Sequence, residues 1–119
     1  MWRFPITIAA ILVTTNLVAA GDYEDGIKAY DGADYPTAFQ HLKQAADDGN
    51  PDAQALIGYM YANGQGVRID YISAYQWYEL SAAQGNRNAA ENRSNIAKNM
   101  TADQITEAKR LAQEWKPPQ

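Results

Sequence analysis

Residues 34–54, DYPTAFQHLKQAADDGNPDAQ, lie over residues 70–90, DYISAYQWYELSAAQGNRNAA, at an offset of 36. Eight of these 21 positions are identical: Asp34/Asp70, Tyr35/Tyr71, Ala38/Ala74, Gln40/Gln76, Ala46/Ala82, Gly49/Gly85, Asn50/Asn86 and Ala53/Ala89. Thr37/Ser73 and Phe39/Tyr75 are close in kind. No other feature limits the fold as strongly. A unit that repeats at such a period cannot bury its apolar face alone, so successive copies must stack on one another.

The residues of the repeat identify the unit. In the second copy Ala74, Trp77, Tyr78, Ser81 and Ala82 recur at helical spacing and make one apolar face. Gly85-Asn86 then ends the helix, because glycine accepts the left-handed conformation in which helices often finish. Asp52, just after Pro51, is placed to start a helix whose buried stripe is Ala53, Ile57, Met60 and Tyr61. No stretch after residue 21 shows sustained period-two alternation of β-branched residues, so the unit is a helix pair and the fold all-α. Helices are predicted near 22–31, 35–48, 52–63, 71–84, 87–99 and 102–115. The last opens with a capping box, Thr101 with Gln104 three residues on. Its inner face is Ile105, Ala108, Ala112 and Trp115, and Pro117 and Pro118 stop it.

Between two of these helices stands YANGQGV, residues 61–67, followed by Arg68. Two nearby glycines before a base suggest either a phosphate-cradling loop or a turn. In GQGVRI, Ile69 stands where a third glycine belongs, no strand precedes, and no Gly-Lys-Ser/Thr follows. The turn is the better reading. Gly64 and Gly66 bend the backbone, Val67 anchors the loop to the core, and Asp70 starts the next helix.

The run AQALIGYMYANGQGVRIDYISAYQWYELSAAQGNRNAA from Ala53 onward strongly resembles the Sel-one-like repeat, a relative of the tetratricopeptide repeat. Matching positions are Ala53, Ile57, Gly58, Tyr61, Gly64, Gly66, Val67, Asp70, Ala74, Trp77, Tyr78, Ala82, Ala83, Gly85 and Ala89. The earlier copy fits less fully, with Ala38, Leu42 and Ala45 in the second-helix pattern. The third departs after Ala89, where Arg93, Ser94 and Ala97 replace the expected types, so the helix at 102–115 reads as a terminal cap. The resemblance spans about residues 22 to 115. It implies a right-handed superhelix of antiparallel helix pairs, a solenoid of about six helices and 2.5 repeats. It also implies an adaptor for protein assembly, commonly in the bacterial envelope, without catalysis or cofactor.

The first 20 residues have the layout of a secretory signal peptide. Arg3 precedes the apolar run ITIAAILVTTNLV, and small residues at Val18 and Ala20 place the cut before Gly21. An uncleaved anchor is the alternative, although Thr14, Thr15 and Asn16 interrupt a run that needs about 20 residues to span a bilayer. The domain is then 21–116, with a tail at 117–119, in the periplasm or outside the cell. There is no cysteine, so disulfides and thiolate metal sites are excluded. The net charge of −4 argues against nucleic acid, whose binding needs a basic face. Residues 21–52 hold eight acids (Asp22, Glu24, Asp25, Asp31, Asp34, Asp47, Asp48, Asp52) and two bases (Lys28, Lys43), so one end of the molecule is acidic.

Catalytic patterns are weak. His41, the single histidine, takes the repeat position of Trp77 and reads as a partly packed helix residue. Ser73, Ser81 and Ser94 fall mid-helix with no nucleophile elbow, and the early acids lack calcium-loop spacing. Surface remains. In stacked repeats the concave face binds, and by register it carries Tyr23 and Tyr30, then Asp52 and Tyr59, then Asn88, Glu91 and Asn95. Some of these tyrosines pack against neighbouring helices in an equally good reading. The expected partner is a protein or peptide, with a homo-dimer through the ends of a short stack as a further option. A glycan-binding role is the alternative, and a carboxylate-dependent hydrolase a distant third.

Overall fold

A computed structural model describes residues 16–118, with side chains described from Gly21 onward. The expected leader therefore lies outside the described residues, apart from the backbone of 16–20. The described residues form six helices: α1 (Asn16–Asp31), α2 (Tyr35–Asp47), α3 (Pro51–Asn63), α4 (Tyr71–Ala83), α5 (Arg87–Ala97) and α6 (Ala102–Glu114). The expected all-α organisation is present, and five helices begin within one residue of their expected starts. The first differs. It is already helical at Asn16, the first described residue, instead of starting at 22, and runs unbroken through the expected cleavage point.

The Gly-Asn pairs explain why both copies of the repeat turn in the same place. Gly49 and Gly85 share a φ of 96°. Behind them, Asn50 N–H bonds to the Ala45 carbonyl and Asn86 N–H to the Ser81 carbonyl, while the glycine N–H groups take Ala46 and Ala82. These paired bonds satisfy the carbonyls left open at a helix end. Each asparagine then caps the next helix. Asn50 Oδ1 accepts from the Asp52 and Ala53 amides, and Asn86 Oδ1 from the Ala89 amide. One dipeptide thus ends a helix and begins another, which fixes the angle between successive repeats.

Packing follows the stripes. Ala38, Leu42, Ala45 and Ala46 of α2 meet Ala53, Ile57 and Met60 of α3 and Trp77 of α4 in one buried cluster. A second joins Ala74 and Tyr78 of α4 to Ala89 of α5. Full burial of a leucine, isoleucine or methionine side chain contributes about 1.5–3 kcal/mol, and the alanines between them let the helices approach closely. Buried polar groups are satisfied. Gln54 Nε2 donates to the Ala46 carbonyl at 3.1 Å, Gln84 Nε2 donates to Gln54 Oε1 at 2.8 Å, and Ser81 Oγ donates to the Pro51 carbonyl at 2.7 Å.

The glycine loop does more than turn. Gly64 and Gly66 have positive φ, as expected, and Asp70 caps α4 by accepting from the Ser73 amide. Val67 is only half-buried and is not part of either core cluster. The anchoring comes instead from Gln65, whose Oε1 accepts the Tyr30 hydroxyl at 2.9 Å, and Gly66 sits so close to the start of α2 that a side chain there would run into the Tyr35 carbonyl. The loop of the second repeat is therefore fastened to the corner of the first.

At the C-terminal end, α6 packs along α4. Its Trp115 meets Trp77 edge to face, with ring centroids 6.1 Å apart, and Lys43 Nζ lies 5.2 Å from the Trp77 ring centroid. α5, RNAAENRSNIA, has one fully buried residue, Ala89, and commits it to the cluster with α4, so it has little apolar surface left to offer α6. α6 covers the Trp77 side of α4 and closes the stack there.

Candidate functional site

The first helices of the three repeats, α1, α3 and α5, bring together a groove of about 290 Å³. Tyr23 comes from α1, while Asp52, Ala55, Leu56 and Tyr59 come from α3. Asn88 and Asn92 come from α5, preceded by its cap Asn86. Helical spacing explains the grouping, because Asp52, Ala55, Leu56 and Tyr59 stand three and four residues apart on one side of α3. Ile57 and Met60 occupy the opposite, buried side. Tyr59 is 42% exposed, so its ring offers apolar area to a ligand.

Four of the expected site residues meet here: Tyr23, Asp52, Tyr59 and Asn88. Tyr30 does not line the groove. It is half-buried, packs against Tyr35 with ring centroids 5.2 Å apart and planes tilted at 57°, and donates its hydroxyl to Gln65, which is the packing alternative. Glu91 and Asn95 line a separate shallow depression with Ala90, Arg93 and Ser94. At about 100° per residue, Asn92 lies about 40° from Asn88 on the side toward buried Ala89 and Glu91 about 60° to the other side, whereas Asn95 shares the Asn88 direction but stands about two turns further along the helix. Ala55, Leu56, Asn86 and Asn92 were missed from sequence. Asn92 had a usable signal, since it follows Asn88 by one turn.

The electrostatics of the groove are one-sided. Asp52 carries the single formal charge among its lining residues. Burial raises the Tyr23 phenol above its ordinary value, and the Asp52 and Glu24 carboxylates push it further. Tyr23 therefore remains a neutral hydrogen-bond donor throughout the physiological range. Tyr78, 1% exposed, is driven up more strongly by burial, with Tyr59 and Tyr30 adding to it. The arrangement can bind: two phenols and the asparagine amides donate and accept hydrogen bonds beside the apolar Ala55 and Leu56.

Elsewhere, α4, α5 and α6 leave a cleft of about 380 Å³ lined by Tyr75, Glu79, Arg93, Ser94, Ala97 and Lys109. Arg93 Nη1 donates to Glu79 Oε2 there at 2.7 Å. His41, expected to be partly packed, is half-buried on α2, with Nδ1 3.0 Å from Asp22 Oδ1, and ties α2 to α1. Among the described residues no three His, Asp or Glu side chains gather to hold a metal ion, and no helix is long and apolar enough to cross a membrane.

Stacked helix pairs joined by Gly-Asn corners, with a groove on their first helices, define a protein of the helical-repeat solenoid class. The Sel1 repeat model matches residues 17–50 and 51–86, more than half of the chain, and the chain belongs to the Sel1 repeat family. It is 35% identical over 82 residues to the Sel1-repeat-containing protein YjcO of Escherichia coli, covering 66% of this chain and 30% of YjcO. A 43-residue segment, 36% of this chain and 12% of the relative, is 42% identical to HcpE of Helicobacter pylori, whose name carries a provisional beta-lactamase designation. The chain thus spans less than a third of these relatives. Among solved structures, the crystal structure of c5321, a protective antigen of uropathogenic Escherichia coli displaying an SLR fold, superposes with a TM-score of 0.78 at 29% identity. That match covers 82% of this chain and 22% of the c5321 chain.

Proposed function

We propose that this chain is a non-catalytic interaction module, exported to the bacterial envelope, that holds an extended polypeptide in the α1–α3–α5 groove. The observation that carries this reading is the convergence of Tyr23, Tyr59, Asn88 and Asn92 from three stacked helices onto one channel. Tyrosines supply flat contact area at low entropic cost, and asparagine amides can pair with the donors and acceptors of a passing backbone. Sel1 and related helical repeats generally mediate protein–protein interaction, which agrees with it. Export is supported by the leader-like residues 1–20, and a bacterial setting by the likeness to YjcO and c5321 of Escherichia coli.

The test is a peptide library displayed on phage and selected against the purified protein. Peptides that bind the groove should lose about tenfold in affinity on Tyr59→Ala, the loss expected for an exposed aromatic contact of about 1.4 kcal/mol. Thermal stability should stay unchanged. Retained affinity would remove the groove from the account. Tyrosines beside asparagine and Asp52 also suit sugar hydroxyls, and co-sedimentation with peptidoglycan in place of peptide capture would favour that second reading.

A further inference from the structure

We propose that the polypeptide held in the groove presents a cationic side chain, arginine or lysine, to the Asp52 carboxylate beside Tyr23 and Tyr59. This rests on the groove reading above and specifies the partner's chemistry. The lining residues include no lysine, arginine or histidine, and their one formal charge is Asp52. Asp52 is exposed and takes part in none of the ion pairs of the described residues. Glu24 is likewise exposed and unpaired, and both carboxylates lie close enough to Tyr23 to raise its phenol. Two acids therefore flank Tyr23, Asp52 in the groove and Glu24 in the adjoining depression.

Lys28 is the nearest base on α1. It stands in the adjoining depression with Tyr23, Glu24, Ile27 and Asp31, where acids still outnumber it. An acid in the first turn of α3 also complements the helix dipole. That accounts for Asp52 but not for Glu24, which lies mid-helix on α1. An acidic ligand entering here would meet repulsion, and a neutral one would gain only hydrogen bonds. A cation gains a charge-assisted hydrogen bond and the attraction of aromatic faces as well. The acid excess over residues 21–52 extends this field outward and favours encounter with basic segments.

The experiment is an NMR titration of the protein with three capped peptides, Leu-Ser-Xaa-Ser-Leu, where Xaa is arginine, citrulline or glutamate. Citrulline keeps the shape of arginine and removes its charge. Binding is read from the backbone signals of Tyr59 and Asn92. The arginine peptide should bind about tenfold more tightly than the citrulline peptide, the sum of a modest exposed ion pair and a cation–π contact. The preference should shrink with added salt, disappear in Asp52→Asn, and turn to the weakest binding for glutamate. Equal binding of arginine and citrulline with the groove signals still shifting would overturn the cationic partner and leave the groove standing. The same holds if Asp52→Asn keeps the preference. If no peptide moves those signals, the groove reading fails and this one with it.

Discussion

Replacing Gly66 by alanine separates two costs that the glycine loop avoids. Gly66 has a φ of 73°, and a Cβ built there would lie 2.5 Å from the Tyr35 carbonyl oxygen, 2.6 Å from its carbon and 3.0 Å from Pro36 N. Those atoms are backbone at the start of α2, so no rotamer change can relieve the contact. Gly85 supplies the control, with a φ of 96° and nothing within 4 Å of the added atom. An alanine forced into left-handed backbone costs about 1–2 kcal/mol, which is the whole expected loss for Gly85→Ala. Gly66→Ala should add about 1–3 kcal/mol of overpacking, for a total of about 2–5 kcal/mol. Each kcal/mol lowers the melting temperature by roughly 4–8 °C in a domain of this size. Urea unfolding followed by far-ultraviolet circular dichroism, with both variants beside the parent, measures the difference. Equal losses for the two variants would show that the loop does not press on the first repeat, and the inter-repeat clamp would be withdrawn.

Two further outcomes are expected. The unfolded chain ionises its tyrosines near 10.0, whereas Tyr78 keeps its proton to higher pH. The native state then binds more protons than the unfolded one, so stability falls as pH rises above that value, by at most about 1.4 kcal/mol per pH unit for this group. Melting temperatures across the alkaline range should decline, and Tyr78→Phe should flatten the decline; an unchanged slope would refute the assignment. Trp115→Ala should cost about 2 kcal/mol by uncovering Trp77 and loosening α6. Hydrogen exchange should then accelerate in α6 while α2 and α3 stay protected, and a uniform acceleration would contradict the capping role.

Much of the fold was legible because its determinants are local. Gly49-Asn50 and Gly85-Asn86 show in the sequence where helices end and begin, and the stripe of Ala74, Trp77 and Tyr78 shows which face of α4 is buried. What escaped is long-range. Nothing near Gly66 indicates that its missing side chain makes room for the Tyr35 carbonyl, 31 residues earlier by 66 − 35. Nor does the apolar face of α6 say whether it will meet α5 or α4. That depends on how little apolar surface α5 offers, a comparison between helices and not a property of one. The site was half legible for the same reason. Register places Tyr23, Asp52, Tyr59 and Asn88 on first helices, but register does not carry how α5 lies against α3. That placement admits Asn92, leaves Glu91 on another side of the helix and leaves Asn95 about two turns beyond Asn88. Tyr30 is a separate case, since its hydroxyl went to Gln65 from a loop whose docking the sequence did not reveal.

The interaction site is tested most directly by hydrogen–deuterium exchange on the protein with and without a phage-selected peptide, followed along every helix. Protection is expected where α1, α3 and α5 present Tyr23, Asp52, Tyr59, Asn88 and Asn92. The exposed sides of α2 and α4 should exchange as before. Protection confined to α2 and α4, or to the cleft beside Arg93 and Lys109, would place binding elsewhere and contradict the groove.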